Sequence, residues 1–112
     1  MKRLLLVENN QHVLRLLLVI LNRFSLDITT VSSGEDALQI LDDSFDFVLT
    51  DMHMGKVDGN DVARKAKSIN KDIVTILFYS PLKIKPEHEL FDLIFLKNED
   101  IGKIITRLSY IV

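Results

Sequence analysis

The feature that most constrains this chain is the alternation of short apolar runs with amphipathic stretches. Leu4, Leu5, Leu6 and Val7 form a wholly apolar run. A run so short reads as a strand buried on both faces, as in parallel sheets. Similar runs recur at residues 28–31, 45–49, 73–78 and 93–96. Helix-length segments lie between them. In residues 11–24, Val13, Leu17, Ile20, Leu21 and Phe24 fall on one face at helical spacing. Residues 35–41 carry Ala37, Leu38 and Leu41, and residues 60–69 carry Val62, Ala63, Ala66 and Ile69. Residues 99–111 carry Ile101, Ile104, Ile105, Leu108 and Ile111. Strands alternating with helices predict βαβ units, a parallel sheet and right-handed crossovers. The segment 80–91 is the weakest, because Pro81 and Pro86 leave room for only a short or irregular fourth helix. With no repeat and no linker, residues 1–112 read as one domain.

Composition removes several function classes. Fourteen Lys and Arg against sixteen Asp and Glu give a net charge of -2, which argues against a generically basic nucleic-acid binder. No cysteine is present, so there is no disulfide framework and no thiolate metal site, in keeping with a reducing cytoplasm. His12, His53 and His88 have no zinc-ligand spacing. No apolar run approaches the ~18 residues of a membrane span.

In doubly wound sheets, ligands and chemistry sit beyond the carboxyl ends of the strands. Glu8 and Asn9 follow the first run, Asp51 the third, Tyr79 and Ser80 the fourth, and Lys97 the fifth. These residues should gather on one edge. Met54 and the pair Asp58-Gly59 lie shortly after Asp51. In this order the residues resemble the receiver domain of response regulators in two-component signalling, over essentially the whole chain. The resemblance implies an α/β, flavodoxin-like fold, a doubly wound five-stranded parallel sheet in order 2-1-3-4-5. It implies Asp51 as phosphoacceptor and Lys97 as phosphoryl contact. It implies Mg²⁺ held by Glu8, Asn9, Asp51 and the backbone carbonyl of His53. The implied partner is a histidine kinase or phosphotransfer protein, and the implied location is the cytoplasm. The domain would be regulatory rather than an enzyme, with no direct nucleic-acid binding of its own. The chemistry of the residue types agrees. A carboxylate can attack phosphorus, a lysine is a point charge for a phosphoryl oxygen, and a hard cation prefers oxygen ligands.

Departures from the family pattern carry as much information. Asn9 stands where the family usually has a metal-touching Asp, so an oxygen is kept and a full charge lost. A unit charge pair at ~4 Å is worth about 4 kcal/mol in a medium of effective dielectric ~20, before desolvation, so weak Mg²⁺ binding is expected. Gly55 replaces a Pro and loosens its loop. Asn98 replaces the Pro after Lys97, and a trans bond is expected there. Counting from Gly59 without a gap puts Tyr79 at the family's hydroxyl position, whereas a one-residue slip puts Ser80 there. Ile94 stands at the usual aromatic position of the fifth strand, so little phosphorylation-dependent change is expected on that face.

Three readings follow. The first is a phosphorylatable receiver; the second is a pseudo-receiver that works as a phosphorylation-independent interaction module. The third is a flavodoxin-like small-molecule binder, which lacks a Gly-rich or Ser/Thr-rich phosphate loop after the first strand. Leu14 and Leu18 form a second apolar stripe on the first helix, so this helix or the last one is the expected surface for a partner or a homodimer.

Overall fold

The computed structural model describes residues 1–82 and 84–112. Strand β1 (Lys2–Val7) pairs with β2 (Leu26–Val31) on one side and with β3 (Phe47–Thr50) on the other. Strands β4 (Val74–Tyr79) and β5 (Leu93–Leu96) extend the sheet beyond β3. All pairs are parallel and the order is β2-β1-β3-β4-β5, as expected. Side-chain alternation explains why the runs are apolar on both faces. Leu4, Leu6, Leu49 and Phe78 pack in one layer with α1 (Gln11–Leu21) and α4 (Ile101–Ser109). Leu5, Val7 and Val48 pack in the other with α2 (Gly34–Ile40) and α3 (Gly59–Ile69).

Local chemistry sets the helix ends. Asn10 caps α1, its side-chain oxygen accepting from the N–H groups of His12 (2.9 Å) and Val13 (3.2 Å). Asp58 and Asp61 form a reciprocal capping box on α3. Helix α1 ends at Leu21, before Phe24, yet Phe24 still packs on the core after the turn. Leu14 and Leu18 also pack on this core and are partly buried, so Val19, 67% exposed, is the exposed large apolar residue of α1.

Helix α4 spans Ile101–Ser109 rather than 99–111, so Glu99 precedes it and Ile111 follows it. Glu99 Oε1 accepts from the Leu96 N–H at 2.9 Å and closes the turn after β5. Arg107 packs over the Phe95 ring and donates to the Ile94 carbonyl. No cis peptide occurs among the described residues, and the Lys97–Asn98 bond is trans.

Among its described residues, the segment between β4 and β5 contains one 3₁₀ turn, His88–Leu90, instead of a fourth α-helix of ordinary length. The loop is tied to α3 by the buried Asn60. That side chain donates to the Lys85 carbonyl (3.0 Å) and accepts from the Glu87 N–H (2.9 Å). Arg64 adds an ion pair to Glu87. Where the loop enters β5, Asp92 accepts from the Thr75 N–H (2.9 Å) and from the Lys67 ammonium (2.7 Å).

Helix α3 begins at a close approach. A Cβ on Gly59 would lie 2.6 Å from the Asp51 carbonyl oxygen, which is backbone and cannot yield cheaply. Gly59→Ala should therefore cost about 1–3 kcal/mol of stability, the range for overpacking, as measured by urea denaturation. Asp92 gives a pH-dependent prediction. Burial works to raise its carboxyl pKa, but Lys67 and the Thr75 donors together outweigh burial and lower it. A lowered folded-state pKa makes the unfolded chain bind more protons, so stability rises with pH through that window. Asp92→Asn should cost about 1 kcal/mol near pH 7, discounted for partial exposure. The contribution is full above the ordinary carboxylate pKa of ~3.9 and is lost as pH falls through the lowered value. Urea melts of both proteins at neutrality and at successively lower pH should show the gap closing in acid.

Candidate functional site

The parallel register delivers Glu8, Asp51 and Lys97 to the carboxyl edge of the sheet. Each follows an apolar strand directly, and each strand end is fixed by backbone bonding. The Glu8 N–H donates to Val31 O (3.1 Å), the Asp51 N–H to Val7 O (3.0 Å) and the Lys97 N–H to Tyr79 O (2.9 Å). The Lys97 ammonium lies 3.3 Å from Asp51 Oδ1 and 3.6 Å from Glu8 Oε1. Both acids are buried, Glu8 at 1% and Asp51 at 5% exposure.

The two carboxylates differ in how they are satisfied. Asp51 Oδ1 accepts from the Met52 N–H at 2.8 Å besides facing Lys97, while Oδ2 makes no hydrogen bond among the described residues. Glu8 Oε2 accepts from the Asn10 N–H at 3.1 Å. Glu8 Oε1 is fully buried and makes no hydrogen bond among the described residues, since 3.6 Å to Lys97 is an ion-pair distance rather than a hydrogen bond. Burial pushes the Glu8 carboxyl above its ordinary pKa; the Asn10 N–H opposes this, the Asp51 charge adds to it, and Lys97 opposes it again. An open pocket of about 320 Å³, lined by Gln11, Thr30, Ser32 and Asp36 among others, reaches Glu8 from the β2 side.

The remaining candidates sit around this core without joining its ion pairs. Asn9 is exposed and makes no hydrogen bond among the described residues. The His53 carbonyl accepts no hydrogen bond there either, while its ring nitrogen Nε2 lies 3.1 Å from the Ser80 carbonyl oxygen. Ser80 is partly buried, just past the end of β4. The Tyr79 side chain packs with Met52, Leu77 and Phe91 and lines a groove of about 290 Å³ with Pro81, Ile84 and Pro86. Among the described residues, no three His, Asp or Glu side chains cluster as metal ligands. Glu8 and Asp51 are the acids of this edge, as Asn9 implies.

Several supporting features are hard to see in the sequence. Gly59 lets α3 approach Asp51, and its pairing with Asp58 is the only local signal for it. Glu99 and Arg107 hold the end of β5, where a proline is absent. The His53–Ser80 contact joins the loop after β3 to the loop after β4, and no spacing rule announces it.

Comparison with known proteins agrees with this geometry. The family model described as "Response regulator receiver domain" matches residues 4–97. The response regulator receiver protein CpdR of Brucella abortus is 30% identical over 92 residues, covering 80% of this chain and 77% of that protein. The transcriptional regulatory protein CpxR of Escherichia coli is 31% identical over 77 residues, covering 69% of this chain but only 33% of CpxR. In three dimensions, the response regulator TrrA of Thermotoga maritima, solved in complex with Mg²⁺-BeF, superimposes with a TM-score of 0.84. That match covers 100% of both chains at 23% identity, which establishes likeness of fold. The chain belongs to the response regulator receiver domain family of two-component systems.

Proposed function

We propose that Asp51 accepts a phosphoryl group from the phosphohistidine of a histidine kinase or phosphotransfer protein, and that the modified domain then alters a protein interface. The observation that carries this reading is the Lys97 ammonium, 3.3 Å from a buried Asp51 carboxylate. One Asp51 oxygen is held by the Met52 N–H and the other makes no hydrogen bond among the described residues. In the transfer, an Asp51 oxygen forms a bond to phosphorus as the P–N bond of the donor breaks and its electron pair returns to the imidazole. Positioning and charge neutralisation dominate such a step. Lys97 neutralises charge on a phosphoryl oxygen, and Gly59 and the Met52 N–H keep Asp51 in place. The domain serves as a regulatory switch in the cytoplasm rather than as an enzyme for a separate substrate.

A divalent cation fits the residues present. Among the described residues, Glu8 Oε1 makes no hydrogen bond and faces the Lys97 ammonium at 3.6 Å, and the His53 carbonyl accepts no hydrogen bond. Glu8, Asn9, Asp51 and the His53 carbonyl would hold Mg²⁺, which supplies charge neutralisation for the phosphoryl oxygens. The Mg²⁺-BeF complex of TrrA supports this by analogy. Asn9 weakens the site by one charge. The exposed, uncontacted Asn9 and the apolar packing of Tyr79 favour the alternative, a pseudo-receiver that works without phosphorylation.

Treatment with acetyl phosphate and Mg²⁺ followed by intact-mass measurement separates the two. The expected result is one labile adduct, in low yield, absent in Asp51→Ala. An adduct that persists in Asp51→Ala excludes the assignment, and no adduct at any Mg²⁺ level favours the pseudo-receiver. Asn9→Asp should tighten Mg²⁺ binding by about tenfold or more, because it restores a carboxylate beside two others. Calorimetric titration of both proteins reads this directly, and equal affinities would place residue 9 outside the metal site.

A further inference from the structure

Tyr79 and Ser80 both carry a hydroxyl at the end of β4, and the surroundings of the two differ. The Tyr79 ring is committed to an apolar cluster with Met52, Leu77 and Phe91, facing the groove under Pro81 and Ile84. Ser80 lies one residue beyond the strand, partly buried, and its hydroxyl makes no hydrogen bond among the described residues. The backbone pairing of β4 to β5 ends at Tyr79, whose carbonyl accepts from the Lys97 N–H. The next residue, Pro81, has no N–H and cannot anchor the turn.

The anchor that follows Tyr79 is His53. Its Nε2 lies 3.1 Å from the Ser80 carbonyl oxygen, and a carbonyl can only accept, so Nε2 carries the proton and donates. His53 stands two residues after Asp51, in the loop whose start is fixed by Asp51 itself. The contact therefore ties Ser80 to the phosphoacceptor loop across 27 residues of sequence.

We propose that His53 is a positioning residue: by holding the Ser80 carbonyl, it sets the Ser80 hydroxyl as the donor to the phosphoryl group on Asp51, and leaves Tyr79 to packing. This rests on the phosphoacceptor reading above. His53 acts through Ser80 and touches no reacting atom with its ring.

The test is a double-mutant cycle on the intact chain, reading the initial rate of labelling by acetyl phosphate with Mg²⁺. Ser80→Ala and His53→Ala should each slow labelling by about threefold to tenfold, the span of one neutral hydrogen bond. The double variant should be no slower than Ser80→Ala alone. His53→Gln, which keeps a side-chain N–H of similar reach, should restore most of the rate. Losses that multiply in the double variant would overturn the proposal, as would a larger loss in Tyr79→Phe than in Ser80→Ala. A purely structural role for His53 would not vanish in the Ser80→Ala background. A parent protein that takes no label overturns the phosphoacceptor reading instead. The tether then rests on the NMR carbonyl-carbon shift of Ser80, which should move in His53→Ala. An unchanged shift would overturn the contact itself.

Discussion

The carboxyl edge of this sheet depends on the Lys97 ammonium lying between two buried acids. Glu8 and Asp51 repel one another and have both lost most of their water. An uncompensated buried charge is costly, and the site persists because one cation faces both. The compensation is incomplete, since Glu8 Oε1 makes no hydrogen bond among the described residues and Lys97 stands at 3.6 Å from it. Incompletely compensated, perturbed ionisable groups of this kind cluster at functional sites. The backbone of β5 keeps Lys97 there. Its end is held by Tyr79 O, by Glu99 on the Leu96 N–H and by Arg107 on the Ile94 carbonyl. Three contacts take over what a proline after the lysine would fix by covalent stiffness.

The segment between β4 and β5 follows a different logic. Two prolines prevent a helix of useful length, so the backbone polar groups need other partners. Asn60 supplies two of them from α3, and its burial is the reason both are strong constraints. Asp92 supplies the Thr75 N–H with an acceptor at the entry to β5 and binds Lys67 from α3. The loop is thus fastened to α3, the helix whose N-terminus abuts Asp51 through Gly59. Tyr79 packs in the apolar cluster beside this loop.

Much of the fold was legible because its signals are local. Five apolar runs and the spacing of Val13, Leu17, Ile20 and Leu21 specify strands and a helix from nearby residues alone. Element ends were less legible. Phe24 continues the helical spacing yet lies past the end of α1, because a residue can keep its core contact after the chain has turned. Glu99 likewise fits the last helical segment, but its carboxylate is worth more on the open Leu96 N–H than in a helix turn.

By itself, the sequence determined the alternation of strands and helices and the order in which Glu8, Asp51 and Lys97 leave their strands. Polar residues placed directly after buried parallel strands have one edge to occupy, so their gathering follows from connectivity. Tertiary structure alone decided the quality of the site. It buried Glu8 to the point of orphaning an oxygen, left Asn9 in solvent, and turned Tyr79 into an apolar cluster. It also joined His53 to Ser80 and Asn60 to the loop after β4. Those outcomes depend on distances between segments far apart in the chain, and no local pattern encodes a distance that only packing sets.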